Sequence, residues 1–527
     1  MKFSFVLIAC LCLCHAVSGQ NQAVSIYNND STLMGTGVMT NGRMDGLWKF
    51  ADPKTGRLIQ QGMFERGERE GMWTVYHPNN RKKLEAEYKT GRLNGAFREF
   101  DTAGALILES VYKDSLLVGP YKQYYGSAGR PDFVNPKQVM IEGRYADGKR
   151  HGEWLSYFEN GQLGVKQTFN QNRLEGPYLE YSPYGQLIVE VNYKDNKPQG
   201  LFKRYSMGNL LQEQGEYDNG KKVGKWTRYF PDTNIIESEA HYDKDGRRTG
   251  VWNYYYQNRR LARVEKYEND IAVGTWEEYF PNKSLAKRKT YELGVPAGEY
   301  IEYHNNGNIS VQGQYENGAK TGVWKSFFPD GLIYSIGEYH LDLKSGNWKY
   351  FNKIGILVAE GEYKLGSEHG QWVYYYDGGQ LKSVGSYVLG LEDGIWGLFY
   401  DNSQLTQEET WDNGRLMNVS AYNNYDGSKT LDPGTLVSGN GTRITYYLNE
   451  SKESEGNYRF GRAAGDWQYF HDNGRLASEG QMVEGKKEGP WKYYGRNGAL
   501  TDLINFADDE VVPEEVPELE LMFQEFN

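Results

Sequence analysis

Residues 322–339 read GVWKSFFPDGLIYSIGEY, and this stretch decides the fold. "VWKSFF" is short and rich in residues that favour extended backbone. "PDG" is a turn, because proline presets φ and Asp-Gly permits a tight reversal. "LIYSIGEY" is the return strand. The stretch is a β-hairpin, and it is not alone. The same opening, a glycine with aromatics two and five residues later, stands at Gly71, Gly95, Gly119, Gly152, Gly176, Gly200, Gly224, Gly250, Gly274 and Gly298, and at Gly46 with the second aromatic, Phe50, one residue early. After Gly322 it continues at Gly346, Gly370 and Gly394 and returns at Gly465 and Gly489, with a weaker match at Gly441. Most steps are 24 residues. A fixed register held over most of the chain is the signature of a repeat architecture.

Counted from the anchor glycine, four apolar columns recur. Position +2 holds Trp154, Trp226, Trp324 and Trp467, and +5 holds Tyr157, Tyr229, Phe327 and Phe470. Position +11 holds Leu163, Ile309, Leu381 and Leu476, and +17 holds Tyr193, Tyr315, Tyr339 and Tyr387. One hairpin cannot bury these side chains. Hairpins stacked side by side turn each column into a ladder. The expected fold is all-β: an elongated single-layer antiparallel hairpin array of about 19 repeats, on the order of 170–180 Å long and twisted. Columns +2 and +5 are three apart and face opposite sides of a regular strand. Either both faces carry a ladder or a bulge re-aims one column. A polar segment with a second glycine, such as Gly220, Gly318 or Gly485, leads to the next anchor. Those glycines suit positive φ or close backbone approach.

The unit resembles the MORN repeat, and more closely its bacterial variant in YwqK-type proteins. "NGQL", "EGRYADGKRHGEW" and "EGQMVEGKKEGPW" carry the likeness, which extends over roughly residues 30–506. The resemblance implies an elongated hairpin sheet that binds proteins or membranes. Some relatives carry an antitoxin label, which suits a small cytoplasmic protein better than this chain.

Composition narrows the partners. The chain has 527 residues, a formal net charge of −11 and a mean hydropathy of −0.74. Nine acidic residues and no Lys or Arg fall in 501–527, leaving 61 acidic against 59 basic residues elsewhere. A near-neutral body offers no broad basic surface, so nucleic acid is not the expected partner. All three cysteines, Cys10, Cys12 and Cys14, lie in an apolar N-terminal run followed by "AVSGQ". This reads as a secretory signal peptide over 1–19. "LIAC" resembles a lipoprotein box but sits very early, which favours plain export. A mature chain without cysteine excludes disulfides and thiolate chemistry.

The reading divides the chain into the leader 1–19, repeats over 20–417, a degenerate repeat 418–443, repeats over 444–506 and an acidic tail 507–527. Residues 126–138 are an insertion, open between a rim loop and a partner-contact loop. In the degenerate repeat, Arg443 stands where the +2 aromatic belongs. The array opens at Leu33 on a return strand whose edge something should cover. In the tail, Leu519, Met522, Phe523 and Phe526 fall at helical spacing after Pro517. That short amphipathic helix reads as a cap on the last hairpin or as a peptide that docks on a partner.

Catalytic constellations are missing: no HExxH, GxSxG or Walker sequence occurs, and "GTGVMTNG" has the wrong glycine spacing for a dinucleotide loop. His77, His304 and His471 share +6 but lie many repeats apart and read as exposed sheet histidines. No enzyme activity, cofactor or metal is expected. The expectation is an exported scaffold that binds protein partners in the bacterial envelope, in the periplasm, at the outer membrane or outside it. Glycan or peptidoglycan binding and lipid contact are the alternatives. The candidate contacts are optional aromatics at +4 and +6, namely Tyr254, Tyr256, Tyr350, Tyr374, Tyr376 and Tyr400, with the tail residues Leu519, Met522, Phe523 and Phe526.

Overall fold

The computed structural model describes residues 22–27, 33–126 and 137–512. The leader, residues 127–136 of the insertion and the stripe Leu519, Met522, Phe523 and Phe526 lie outside the described residues. The chain divides into two compact units. The first runs to Arg260 and includes Tyr267–Asp270; the second comprises Leu261–Lys266 and everything from Ile271 on. Among the described residues every regular element is a β-strand, and the fold in each unit is an antiparallel hairpin-repeat sheet.

In the opening stretch, Ala319–Phe327 pairs with Ile333–His340, Gly322 facing Tyr339 and Trp324 facing Gly337. The PDG loop closes with the Phe328 amide donating to the Leu332 carbonyl and the Gly331 amide to the Phe328 carbonyl, at 2.8 and 2.9 Å. The segment read as a polar linker is itself a tight turn. Asn317 and Gly318 have φ of 50° and 89°, the two positive values of a type I′ turn, whose twist matches that of paired strands. Each repeat therefore carries two reversals, and the next strand starts three residues before its anchor, at Ala319 for Gly322.

Two glycines of the repeat answer to different constraints. The anchor Gly370 has φ of 65°, and only Glu362 Oε2, at 3.6 Å, lies within 4 Å of where a Cβ would stand. It is required by backbone conformation: the register skips around it, Gly361 facing Trp372 and Glu362 facing His369. Alanine there has room but costs about 1 kcal/mol of left-handed strain. The glycine at +15 is required by space. A Cβ on Gly361 would stand 2.2 Å from the Trp372 ring. Ten tryptophans lie this way on a preceding +15 glycine, with closest approaches of 2.0–2.4 Å, and all ten are 7% exposed or less. Smaller rings tolerate larger neighbours: Phe97 faces Ala86, Tyr121 faces Ser110, Phe202 faces Val191 and Tyr178 faces Gln167. Glycine inside a strand costs about 1 kcal/mol. Burying an indole of about 200 Å² returns about 5 kcal/mol, so the exchange favours the pair.

Both faces carry ladders. On the tryptophan face most indole N–H groups donate to a carbonyl ten residues back, Trp372 to Glu362 at 3.0 Å and Trp491 to Gln481 at 3.1 Å. The +17 ring meets the next indole edge-on, as Tyr363 does Trp372 at 5.2 Å and 90°. Lysine caps the stack, with Lys222 Nζ 3.8 Å from the Trp226 centroid and Lys320 Nζ 4.5 Å from that of Trp324. The +5 tyrosines turn to the other face and donate to a carboxylate fifteen residues back, Tyr157 to Glu142 at 2.8 Å and Tyr494 to Glu479 at 2.9 Å. The register shift just before +5, between Ser156 and Tyr157 in that repeat, does not bring this column onto the tryptophan face.

In the first unit the edge of Leu33–Thr40 is covered by Gln22–Tyr27, with Val24 facing Gly37. The first hairpin is thus present, but without anchor glycine or tryptophan. In the second unit regular pairing lapses after Arg415–Val419. Tyr422–Asn423 pairs only with Thr430–Leu431, and pairing resumes where Gly441–Tyr446 meets Lys452–Arg459. The degenerate repeat is nevertheless packed: Leu416, Tyr422, Leu436 and Ile444 are buried. Arg443, in place of a ring, forms an ion pair with Glu409, the two side chains 19% and 7% exposed.

Candidate binding surface of the second unit

The six candidate tyrosines occupy two kinds of place. Tyr350 and Tyr374 fill the gaps between successive indoles. Centroids in the run Trp348, Tyr350, Trp372, Tyr374 and Trp396 are 5.8–6.4 Å apart with interplanar angles of 25–29°. Their hydroxyls meet those of Tyr363 and Tyr387 at 3.1 and 3.3 Å. Burial raises the Tyr374 phenol above the ordinary tyrosine range, aided by its bond to Tyr387. Tyr376 and Tyr400 lie past the register shift and tie one hairpin loop to the next, donating to the carbonyls of Phe399 and Asn423 at 2.8 and 2.9 Å. In the first unit, Tyr254 and Tyr256 are half-buried. The structure thus does not gather the six onto one platform.

The histidines at +6 differ from their reading as exposed. His77, His304 and His471 are part-buried and donate from Nε2 to the carbonyls of Phe100, Phe327 and Tyr494, at 2.8–2.9 Å. They are ties of the kind Tyr376 and Tyr400 make, from +6 to a carbonyl 23 residues on. Among the described residues no group of three or more His, Cys, Asp or Glu is placed to hold a metal ion.

Sequence reasoning missed a row of apolar residues on the turns. The first central position of the type I′ turn is Asn317 or Asn219 in ordinary repeats. In five turns of the second unit it is Leu293, Leu341, Leu365, Leu389 or Phe460, with φ of 49–53°. These side chains are 52–82% exposed. Left-handed backbone is a genuine outlier for a bulky residue, and exposure returns little of its cost. Turns 341, 365 and 389 belong to consecutive repeats. Leu343 and Leu391 lie beside the turn glycines Gly366 and Gly414, within 3.3 Å of where a Cβ would stand, and extend the apolar strip. The signal was available as "HLDL", "KLGS" and "VLGLE", where other repeats have polar pairs such as Asn219-Gly220 and Asn317-Gly318.

A second irregularity is a gap in the ring stack of the same unit. Glu265 occupies the +15 place before Trp276, and Lys289 lies in register with both Trp276 and Tyr300. Trp276 is only half-buried. A cavity of about 120 Å³ opens there, lined by Arg263, Trp276, Glu278, Lys287, Lys289, Tyr291 and Tyr300, with Tyr291 leaning over the Trp276 ring at 4.5 Å and 41°. Arg263 pairs with Glu265 at 2.9 Å, and Lys287 lies 3.8 and 3.7 Å from Glu278 and Glu302. Burial depresses the Lys289 ammonium below the usual lysine range, with the charge of Lys287 adding to the effect.

These features define a class, a hairpin-repeat protein whose rings and loops are laddered from repeat to repeat. The family model described as a MORN repeat variant matches residues 150–171, 174–195, 297–317 and 368–388, so repeats of that variant occur in both units. No curated protein matches the chain. Solved structures of a TcdB2–TccC3–Cdc42 complex and of the Tc holotoxin pore of Photorhabdus luminescens are similar at 10% and 9% identity, over 92% and 93% of this chain, with TM-scores of 0.11. The chain spans only 30% and 33% of the length of those two chains, and likeness at these scores says nothing of function.

Proposed function

We propose that the chain is a non-enzymatic scaffold of the bacterial cell envelope, built of YwqK-type MORN repeats, that holds a protein partner along the apolar turn rim of its second unit. One observation carries the reading. Leu341, Leu365 and Leu389 stand exposed at positive φ in three consecutive turns, where asparagine would relieve the backbone. Strain kept without a packing return points to a function outside the fold. The partner suited to such a rim presents an apolar strip of its own. The leader read at 1–19 supports export, and the repeat supports binding rather than chemistry.

Replacing Leu341, Leu365 and Leu389 together by asparagine is expected to stabilise the second unit by about 1 kcal/mol per site, because Asn tolerates left-handed backbone. The same variant is expected to lose the partner. Crosslinking of the tagged protein in its own envelope, followed by recovery of the adduct, tests both with a thermal melt alongside. An adduct formed by the wild type and absent from the more stable variant supports the reading. Equal capture by both proteins, or no adduct from either, removes it.

A further inference from the structure

The gap at Trp276 is specific in shape and charge. At some junctions of the ladder the space between successive +2 rings is closed by a tyrosine at +4, as by Tyr350 between Trp348 and Trp372. At others the +2 rings lean together, as Phe202 and Trp226 do at 5.5 Å over Gly215. Between Trp276 and Tyr300 neither operates. Position +4 is Glu278, and the Lys289 stem rises between the two rings. What remains is a slot of about 120 Å³, close to the ~150 Å³ cavity that takes one benzene ring.

The slot's charges are unevenly committed. Arg263 has Glu265, and Lys287 sits between Glu278 and Glu302. Lys289 has the ring faces of Tyr291 and Tyr315, at 5.3 and 5.0 Å, and among the described residues no carboxylate within ion-pair distance. Glu278, 3.8 Å from Lys287, retains acceptor capacity for a hydroxyl. We propose that this slot binds a six-membered sugar ring bearing one carboxylate, with the ring face on Trp276, the carboxylate at Lys289 and a ring hydroxyl donating to Glu278. An aromatic acid would satisfy Lys289 and the indole but would bring no donor for Glu278. A neutral sugar would leave the ammonium only the charge of Glu278, which lies beyond ion-pair distance. The site is separate from the turn rim and does not depend on it.

Ligand-observed saturation-transfer NMR on the full chain tests this with three probes: glucuronate, glucose and benzoate. Signal transfer to the glucuronate ring protons is expected, at least tenfold stronger in apparent affinity than for either control. Lys289→Gln should weaken it at least tenfold, and Lys289→Arg should retain it. Lys289→Gly restores the regular +15 residue; it should let Trp276 and Tyr300 close together and abolish binding while raising the melting temperature. Benzoate or glucose binding as well as glucuronate overturns the proposal, as does an unaffected Lys289→Gln or Lys289→Gly variant or the absence of any glucuronate signal.

Discussion

Gly361→Ala is expected to destabilise its part of the second unit by about 3 kcal/mol and to lift Trp372 from its seat. The new methyl would stand 2.2 Å from Cδ2 of the indole and 2.4 Å from Cε2. The ring cannot slide aside, because Tyr350 and Tyr374 stack on its two flanks. It is 2% exposed, so any lift forfeits burial. The backbone offers no objection, since Gly361 is not among the glycines at positive φ. Replacing glycine in a strand would ordinarily gain about 0.5–1 kcal/mol, and overpacking must overcome that. The molecule already contains the outcome in milder form. Ala240 and Glu265 occupy the +15 place before Trp252 and Trp276, and both indoles are only half-buried. Both keep their N–H bonds, to His241 and Lys266 at 3.1 Å, so the expected loss is burial rather than the hydrogen bond. Because repeat arrays do not melt as one state, amide exchange in Ser367–Tyr375 and Leu381–Val388 is the measure. A red shift of tryptophan emission should accompany faster exchange.

Arg443→Met is expected to cost about 3–5 kcal/mol in the degenerate repeat. It would strand the Glu409 carboxylate, 5% exposed as a residue, with the Trp411 indole N–H at 3.0 Å as its remaining donor. Converting both partners, Arg443→Met with Glu409→Gln, should recover most of the loss, because a buried pair contributes little net stability against apolar or neutral substitutes. The measure is amide exchange in Leu405–Asp412 and Gly441–Tyr446. Equal destabilisation by the single and double variants would mean that the pair serves packing alone. The comparison also explains why residues 418–443 stay ordered after losing the aromatic column. A charge pair and the buried residues Leu416, Tyr422 and Leu436 replace the ring as the local core.

Much of the fold was legible because the anchor glycine recurs with its aromatics at a constant period. The meaning of the +15 glycine was not. Its partner is eleven residues on, in the next hairpin, and a column inspected by itself shows only a preference for glycine. Read against the following +2 residue it becomes a size rule, with Gly before Trp at 361 and 372 but Ala before Phe at 86 and 97. The type I′ turn was visible as Asn317-Gly318 and Asn219-Gly220, the strongest short hairpin signal, yet it merged with the approach to the anchor and read as a linker. Alternation along the strand puts Tyr374, two residues after Trp372, on the same side as that indole. Position alone could not show that the ring lies between two indoles. The apolar turn rim and the charged slot are departures from the repeat that a consensus conceals, since each affects a residue type at a position usually ignored.

The size match between a +15 residue and the ring above it is what holds repeat to repeat. A double-mutant cycle on Gly361→Ala and Trp372→Phe, read by amide exchange in the same two strands, measures it most directly. A phenyl ring over alanine already exists at Phe97 and Ala86, so the double variant should be more stable than the sum of the single losses by about 2 kcal/mol, within the range of directly contacting pairs. Additive losses, to within about 0.5 kcal/mol, would contradict the match.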